Sequence, residues 1–363
     1  MQLLKFPSVH AQRMERWLGP EMAEGLVRQA KGWYGDPIPV MGVPGRVFAC
    51  GDGDYCGSIQ GGFFANLATY SEDKIRRALK KHAAGGYLNT GFGSLSDLIS
   101  EATGGKMQHI YYQKTGAAKP AAAYCQNLWN KGAVPSAGSN GGAAPGGTVN
   151  AKGDAGSLPF SNPAGSDTLH ITTWTAQATV ANTVMLVDRL FSVSCSHNSA
   201  NIAITGVPSR YQDTTAKNSF VSARVTTVLT ATAHNITLTY MDQDGNTAEA
   251  APAIAARVSS AVDTIPLTTP SWFIPLNAGD TGVRKITNWA TSGANTGVSD
   301  VFVAHMLALC PIPVANMPIV LDGINSAFNL VEIKTNACLM LMEYFATATT
   351  ATTHTGLIQV VSG

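Results

Sequence analysis

Asn235-Ile236-Thr237-Leu238-Thr239-Tyr240 alternates without exception between polar and apolar side chains. A period of two places Ile236, Leu238 and Tyr240 on one face of an extended chain and Thr237 and Thr239 on the other, which is the pattern of a half-buried strand. Met241-Asp242-Gln243-Asp244-Gly245-Asn246-Thr247 follows directly. The Asp244-Gly245 pair inside it suits a hairpin connection, because glycine accepts the positive φ that such turns need.

The same chemistry extends to both sides. Thr168–Trp174, Asn182–Val187 and Ser219–Leu229 are rich in β-branched and aromatic residues. Further strands are expected at Ser271–Leu276, Val283–Trp289, Val298–Leu309, Phe328–Lys334, Cys338–Ala346 and Leu357–Val361. Val301–Leu321 is the longest apolar stretch, yet it holds His305, Pro311, Pro313 and Pro318. The prolines would break a spanning helix, so it reads as a buried strand and its turn. Many short strands separated by Gly, Asn, Asp and Pro turns predict a mainly β chain: an antiparallel β-sandwich over residues 167–363, jelly-roll-like by first choice and immunoglobulin-like by second.

Upstream the pattern changes. Arg13–Lys31, Ser71–Ala84, Ser96–Ala102 and Ala121–Asn130 carry helical signals, the clearest at Ser71, where an N-cap serine precedes Glu72 and Asp73 and Lys80, Lys81 and His82 precede Gly85-Gly86. Residues 1–131 therefore read as an extended, partly helical N-terminal arm. Residues 132–166, dominated by Gly, Ala, Ser and Pro, read as a linker or an extended crossover held by a neighbour. Charge divides near the same place: residues 1–160 hold 16 Lys/Arg against 11 Asp/Glu, and residues 161–363 hold 8 against 12.

The chain has 363 residues, of which 45% are hydrophobic and only 13% charged. About 25% charge is usual, and disordered chains carry still more, so a folded body with an unusually neutral surface is expected. A net charge of +1 excludes bulk attraction to nucleic acid or to an anionic membrane as the main activity. The opening Met1–Pro7 turns polar too soon for a secretory signal, and six dispersed cysteines do not form a disulfide framework, so folding in a reducing cytoplasm is expected.

The motifs that could carry chemistry are incomplete. Thr103-Gly104-Gly105-Lys106-Met107 lacks the spacing and the hydroxyl of a phosphate loop and reads as a helix-terminating loop. Gly51-Asp52-Gly53-Asp54-Tyr55 and Asp242/Asp244/Asn246 lack the ligand spacing of a calcium loop. Cys50 and Cys56 are spaced too widely for a zinc knuckle and would need Cys125, His82 or His109 to complete a site. Isolated histidines such as His170, His234 and His305 read as satisfied core or surface groups. Lys74, Arg76, Arg77, Lys80 and Lys81 form a basic helix end. Asp242 with Glu249, or Asp188 with Asp280, could be paired as hydrolytic carboxylates, but the spacing supports neither pair. No catalytic, cofactor-binding or metal residue is selected, and no cofactor is expected.

Two stretches are more specific. Trp272-Phe273-Ile274-Pro275-Leu276-Asn277-Ala278-Gly279-Asp280-Thr281-Gly282-Val283-Arg284 joins an apolar segment to a Gly-Asp-Thr-Gly corner, where Asp280 could take turn amides and Arg284 a carboxylate or carbonyl. Leu186-Val187-Asp188-Arg189-Leu190 sets an acid and a base between apolar residues. With the Thr-rich strands and the Asp244-Gly245 hairpin, this part resembles virion structural proteins of tailed bacteriophages, mainly over residues 160–310. The resemblance implies a non-enzymatic capsid decoration (cement) or shell protein, to which no catalytic residues carry over. It implies a virion location after assembly in the host cytoplasm, as a homotrimer or other symmetric homo-oligomer contacting capsid or connector proteins, with no membrane or direct nucleic-acid role. The alternative is a phage tail, baseplate or receptor-binding protein, which exposed Trp174, Trp272 or Trp289 would favour.

Overall fold

The computed structural model describes residues 48–50, 56–58, 92, 94–118, 124–198, 201–268, 272–324, 330–345 and 350–363. The chain divides into two compact units, Met1–Ser94 and Leu95–Gly363. In the first, β1 (Phe48–Cys50) and β2 (Cys56–Ser58) form an antiparallel ribbon with Cys50 opposite Cys56. The helices expected at Arg13–Lys31 and Ser71–Ala84, with the basic cluster of the latter, lie outside the described residues.

The second unit opens with helix α1 (Leu95–Glu101) and a single π-helical turn over Ala102–Lys106, where Gly105 takes φ 88°. Its strands begin at β3 (Met107–Thr115) and β4 (Tyr124–Asn127), followed by the short β5 (Ala133–Val134), β6 (Gly142–Ala143) and β7 (Thr148–Val149). Next come β8 (Leu169–Ala178), β9 (Asn182–Asn198), β10 (Ile202–Ala203), β11 (Ser219–Thr227) and β12 (Asn235–Asp242). After β13 (Glu249–Ala250) and β14 (Ile254–Ala255), the longer β15 (Val283–Thr291) and β16 (Ala294–Ile312) lead to β17 (Ile319–Asp322). The series ends with β18 (Glu332–Ile333), β19 (Leu339–Phe345) and β20 (Thr353–Ser362).

These strands make three sheets, almost wholly antiparallel. The middle sheet runs β11-β16-β9-β19-β4, and a second sheet runs β17-β8-β20-β3-β5 with β18 on β8. A third runs β10-β15-β12-β13 with β14 on β12. Alternation along the middle strands shows why two sheets would not suffice. Val184 and Leu186 join the core built with the second sheet, around Ile110, Trp174 and Ile358. Met185 and Val187 join the core built with the third sheet, around Leu238, Ile286 and Trp289. β19 repeats this: Leu339 and Leu341 face one core, Met340 and Met342 the other. A strand covered on both faces has no solvent side, so its sequence reads as a continuous apolar run.

The strand boundaries reflect tertiary pairing. Ala121–Asn130, expected as a helix, contains β4 instead, because Tyr124–Asn127 pair with Met342–Phe345 and the edge of a sheet outweighs local helix propensity. Ser271–Leu276, expected as a strand, is irregular from Trp272 onward, although Ile274 is buried and its amide donates to the Val221 carbonyl at 2.8 Å. Of the expected strand Phe328–Lys334, the described residues 330–334 contribute the two residues of β18. The second compact unit starts at Leu95.

Gly356 illustrates how closely the second sheet is packed. Trp174 and Tyr112 are fully buried, with the indole Nε1 donating to the Tyr112 hydroxyl at 3.0 Å. A methyl group at Gly356 would run into that hydroxyl and into the Thr175 carbonyl. Gly356→Ala is expected to cost about 1–3 kcal/mol, the usual range for overpacking a tight core. An unchanged urea midpoint would show that β20 can shift to make room.

Candidate functional site: a buried ionic network

Charge is scarce in this chain, yet Lys114, Asp188, Arg189, Arg224, Asp242, Asp263, Asp300 and Glu343 are all buried. Such groups are almost never buried unless paired. Neighbours on a strand point to opposite faces, so Asp188 and Arg189 cannot pair with each other and each finds its own partner. Arg210 forks onto Asp188 with bonds of 2.9 and 2.7 Å, and the Cys338 amide donates to Asp188 at 2.8 Å. Burial pushes the Asp188 carboxyl up, against the pull of the Arg210 guanidinium and that amide. Arg189 donates to Asp300 at 2.8 Å and to the Asn150 side chain at 3.2 Å. Its guanidinium lies over the rings of Trp129 and Phe302, 4.8 and 4.9 Å from their centroids. That stacking replaces part of the lost hydration with ring quadrupole.

Asp300 is the hub. Besides Arg189 it faces Arg224 at 3.5 Å and accepts the Gly141 amide at 3.1 Å. Arg224 also donates to Asp263 at 2.8 Å and to the Asn140 side chain, and Asp263 in turn accepts Lys131. The network thus binds β9, β11 and β16 to the Gly-rich stretch of residues 132–166. β6 and β7 pair with Phe191–Ser194 of β9, on the edge that β19 occupies over Thr183–Asp188. Gly141 lies so close to Ser192, Val193 and Asp300 that a side chain there would collide with backbone.

Lys114 completes the clamp, its ammonium donating to the carbonyls of Lys131, Pro135 and Ser136 at 2.6, 2.8 and 3.2 Å. Burial pulls its pKa down to about 8, which leaves it charged at neutral pH. Lys114→Met should cost about 1–3 kcal/mol by leaving buried carbonyls without a donor. It should also make residues 131–140 the first site of limited proteolysis; a cleavage pattern like that of the parent chain would refute the clamp.

The histidines form structural relays. His234 Nδ1 lies 3.0 Å from the Thr232 carbonyl, which requires a proton on that nitrogen. Its Nε2 then accepts from His197 Nδ1 at 2.8 Å, and His197 Nε2 accepts the Ser299 hydroxyl at 2.8 Å. The order of hydroxyl, imidazole and orienting group is that of an activated nucleophile. Ser299 and His197 are both fully buried, however, and burial with His234 alongside presses His197 to about 3, far below the near-neutral value of a general base. Elsewhere, Glu343 meets His354 at 2.5 Å. His170 meets Leu330 and Thr168, and His305 stacks on Tyr211 at 3.8 Å and meets Ser219.

The remaining expected residues are dispersed. Asp242 accepts the amides of Asp244 and Asn246 and the Asn246 side chain, while Gly245 takes φ 92°. Burial raises the Asp242 carboxyl, but these bonds outweigh it and hold the group below its ordinary value. Asp280 does not take the turn amides expected of it: it accepts the Tyr240 hydroxyl, and Gln243 accepts the amides of Thr281 and Gly282. Arg284 donates to the Gln243 carbonyl at 2.8 Å, and Glu249 accepts from Asn277. The candidate carboxylate pairs are therefore divided among different partners.

Cys125, Cys195, Cys310 and Cys338 are free and buried, and burial raises all four thiols. His109 sits exposed on β3, and His82 lies outside the described residues. Among the described residues no group of three or more His, Cys, Asp or Glu is arranged to hold a metal ion. No helix among them is long and apolar enough to cross a membrane. Trp174 and Trp289 are core residues and Trp272 packs against one core, so they form no exposed aromatic platform. A cleft of about 550 Å³ near Arg210 is lined by Asp167, Asp213, Glu332 and Lys334. Its charges already have partners: Arg210 on Asp188, Asp167 on Lys106, Lys334 on Glu332, and Asp213 on the Thr215 amide.

The geometry defines a class: a mainly β, antiparallel, three-layered body braced by buried ion pairs. No protein-family model matches the chain, and no curated protein does. Among solved structures, a chain of infectious bursal disease virus, Gt strain, aligns with 11% identity over 70% of this chain and 80% of that one, at a TM-score of 0.17. The VP2 subviral particle of the same virus aligns with 10% identity over 70% and 80%, also at 0.17. A TM-score of that size falls short of a shared fold.

Proposed function

We propose that this chain is a structural subunit of a virus particle, a shell or decoration component of a tailed-bacteriophage capsid held there by contacts between subunits. The observation that carries the reading is the placement of charge. Eight charged residues lie inside, most of them tying strands to one another or to the Gly-rich stretch, and the outward rows of the second sheet are almost neutral. A catalyst needs its charged groups at an accessible cleft, whereas a subunit in a lattice needs rigidity within and little desolvation cost without. The resemblance over residues 160–310 supports the same role. Because β3 and β4 belong to the β body, the anchoring arm in this reading is the first unit, Met1–Ser94.

Copy number in purified particles tests the proposal. Hundreds of copies per particle are expected for a shell or decoration protein. A dozen or fewer would point to a tail or vertex position, and absence from particles would overturn the reading.

A further inference from the structure

The second sheet has an inner face in the core and an outer face whose rows follow from the strand register. One row crosses Val320 (β17), Thr175 (β8), Leu357 (β20) and Tyr111 (β3). The next crosses Asp322, Thr173, Gln359 and His109. On the other side run Gln177, Thr355, Gln113 and Val134, then Thr353 and Thr115. Val320 is 60% exposed and Tyr111 47%. Beside the face, the turn before β17 is held by the Asn316 amide on the Ala178 carbonyl and by Gln177 on the Asn316 carbonyl. That turn presents Val314 and Met317, which are 48% and 50% exposed.

We propose that this face seats a second copy of the same chain, packed sheet to sheet about a two-fold axis. The inference deepens the particle-subunit reading and rests on it. In a two-fold contact each group near the axis meets its own counterpart, so a central charge would meet a like charge. Surfaces of small domains ordinarily carry ~25–35% charged residues. Here the four rows named above carry one carboxylate, Asp322, on the outermost strand; Glu332 of β18, outside those rows, is paired with Lys334. Threonine and glutamine each donate and accept, so a Thr or Gln ladder can bond to its own copy, which a carboxylate or an ammonium cannot do. The apolar row Val320–Leu357–Tyr111 supplies a water-excluding stripe between those ladders. Four strands at ~4.8 Å spacing and four rows at ~6.8 Å give roughly 500 Å² of flat surface. With the flanking turn this approaches the ~800 Å² per partner of a standard specific interface.

Thr175 lies in the middle of the face and its side chain points outward, so a charge there leaves the cores intact. In sedimentation of the full chain over a range of concentrations, the parent protein should self-associate. Thr175→Glu and Thr175→Lys should each weaken association by at least tenfold, Thr175→Ser should leave it unchanged, and an equimolar mixture of the Glu and Lys chains should restore it. Thermal unfolding of each variant alone checks that the fold is kept. A monomeric parent chain, or association indifferent to either charge, would overturn the assignment of this face. A mixture that stays dissociated would overturn the two-fold arrangement. Copy number in native particles is read independently, so these outcomes can remove the face while the subunit reading stands.

Discussion

Asp300→Asn is expected to lower the unfolding free energy by about 3–5 kcal/mol, the range for breaking a buried ion pair from one side. The substitution keeps shape and volume, so the loss is electrostatic and not a cavity effect. Arg189, fully buried, would lose its carboxylate partner at 2.8 Å, and Arg224 the longer arm, 3.5 Å, of its bridge between Asp300 and Asp263. The Gly141 amide would meet either a weaker acceptor or an amide group, loosening the Gly-rich stretch where it joins β9. The check is urea unfolding at pH 7 with parent and variant side by side, and a loss under 1 kcal/mol would show that the network is not the brace described. Substituting Arg189 as well should recover part of the loss, because an unpaired buried cation is worse than none.

The second large effect is loss of stability in mild acid. His197 is held near 3 by burial and by His234, and burial with Lys334 nearby lowers His305 to about 4. Unfolded, both titrate near 6.5. The unfolded chain therefore binds more protons between these values, and stability rises with pH across that window. The contribution is complete above about pH 6.5 and falls as pH drops toward the folded pKa values. At ~1.4 kcal/mol per pH unit per group, His197 alone accounts for about 3 kcal/mol between pH 6.5 and 4. The structural cause is specific: a second proton on His197 goes to Nε2, where it meets the Ser299 hydroxyl at 2.8 Å and turns that acceptor into a donor. His197→Asn should lower stability at pH 7 and flatten the slope below pH 6.5. A denaturant midpoint that does not move between pH 7 and 4.5 would contradict the assignment.

The parts of the fold legible in the chain are those set by local periodicity. Ile236, Leu238 and Tyr240 are buried as their alternation requires, and Asp244-Gly245 turns the chain after them. The antiparallel, mainly β class follows from such segments. Leu339–Met342 was legible only in part: an unbroken apolar run shows that both faces are covered but not by what. Tyr124–Asn127 misled because the three preceding alanines favour a helix in isolation, and nothing local reveals the open edge of β19. The second sheet's outer rows could not be assembled either, since β3 and β20 are neighbours in space but lie at opposite ends of the unit.

Short-range order was written in the residues themselves, because alternation, turn glycines and β-branched side chains act over two to six positions. Partnership was decided by the assembled structure. Arg189 stands 111 residues from Asp300, and Lys114 reaches 17 to 22 residues ahead to secure a stretch whose composition suggests a tether. A buried charge can settle only where the surrounding layers bring a counter-charge or a set of backbone acceptors within about 3 Å. Those layers exist only once all three sheets have closed.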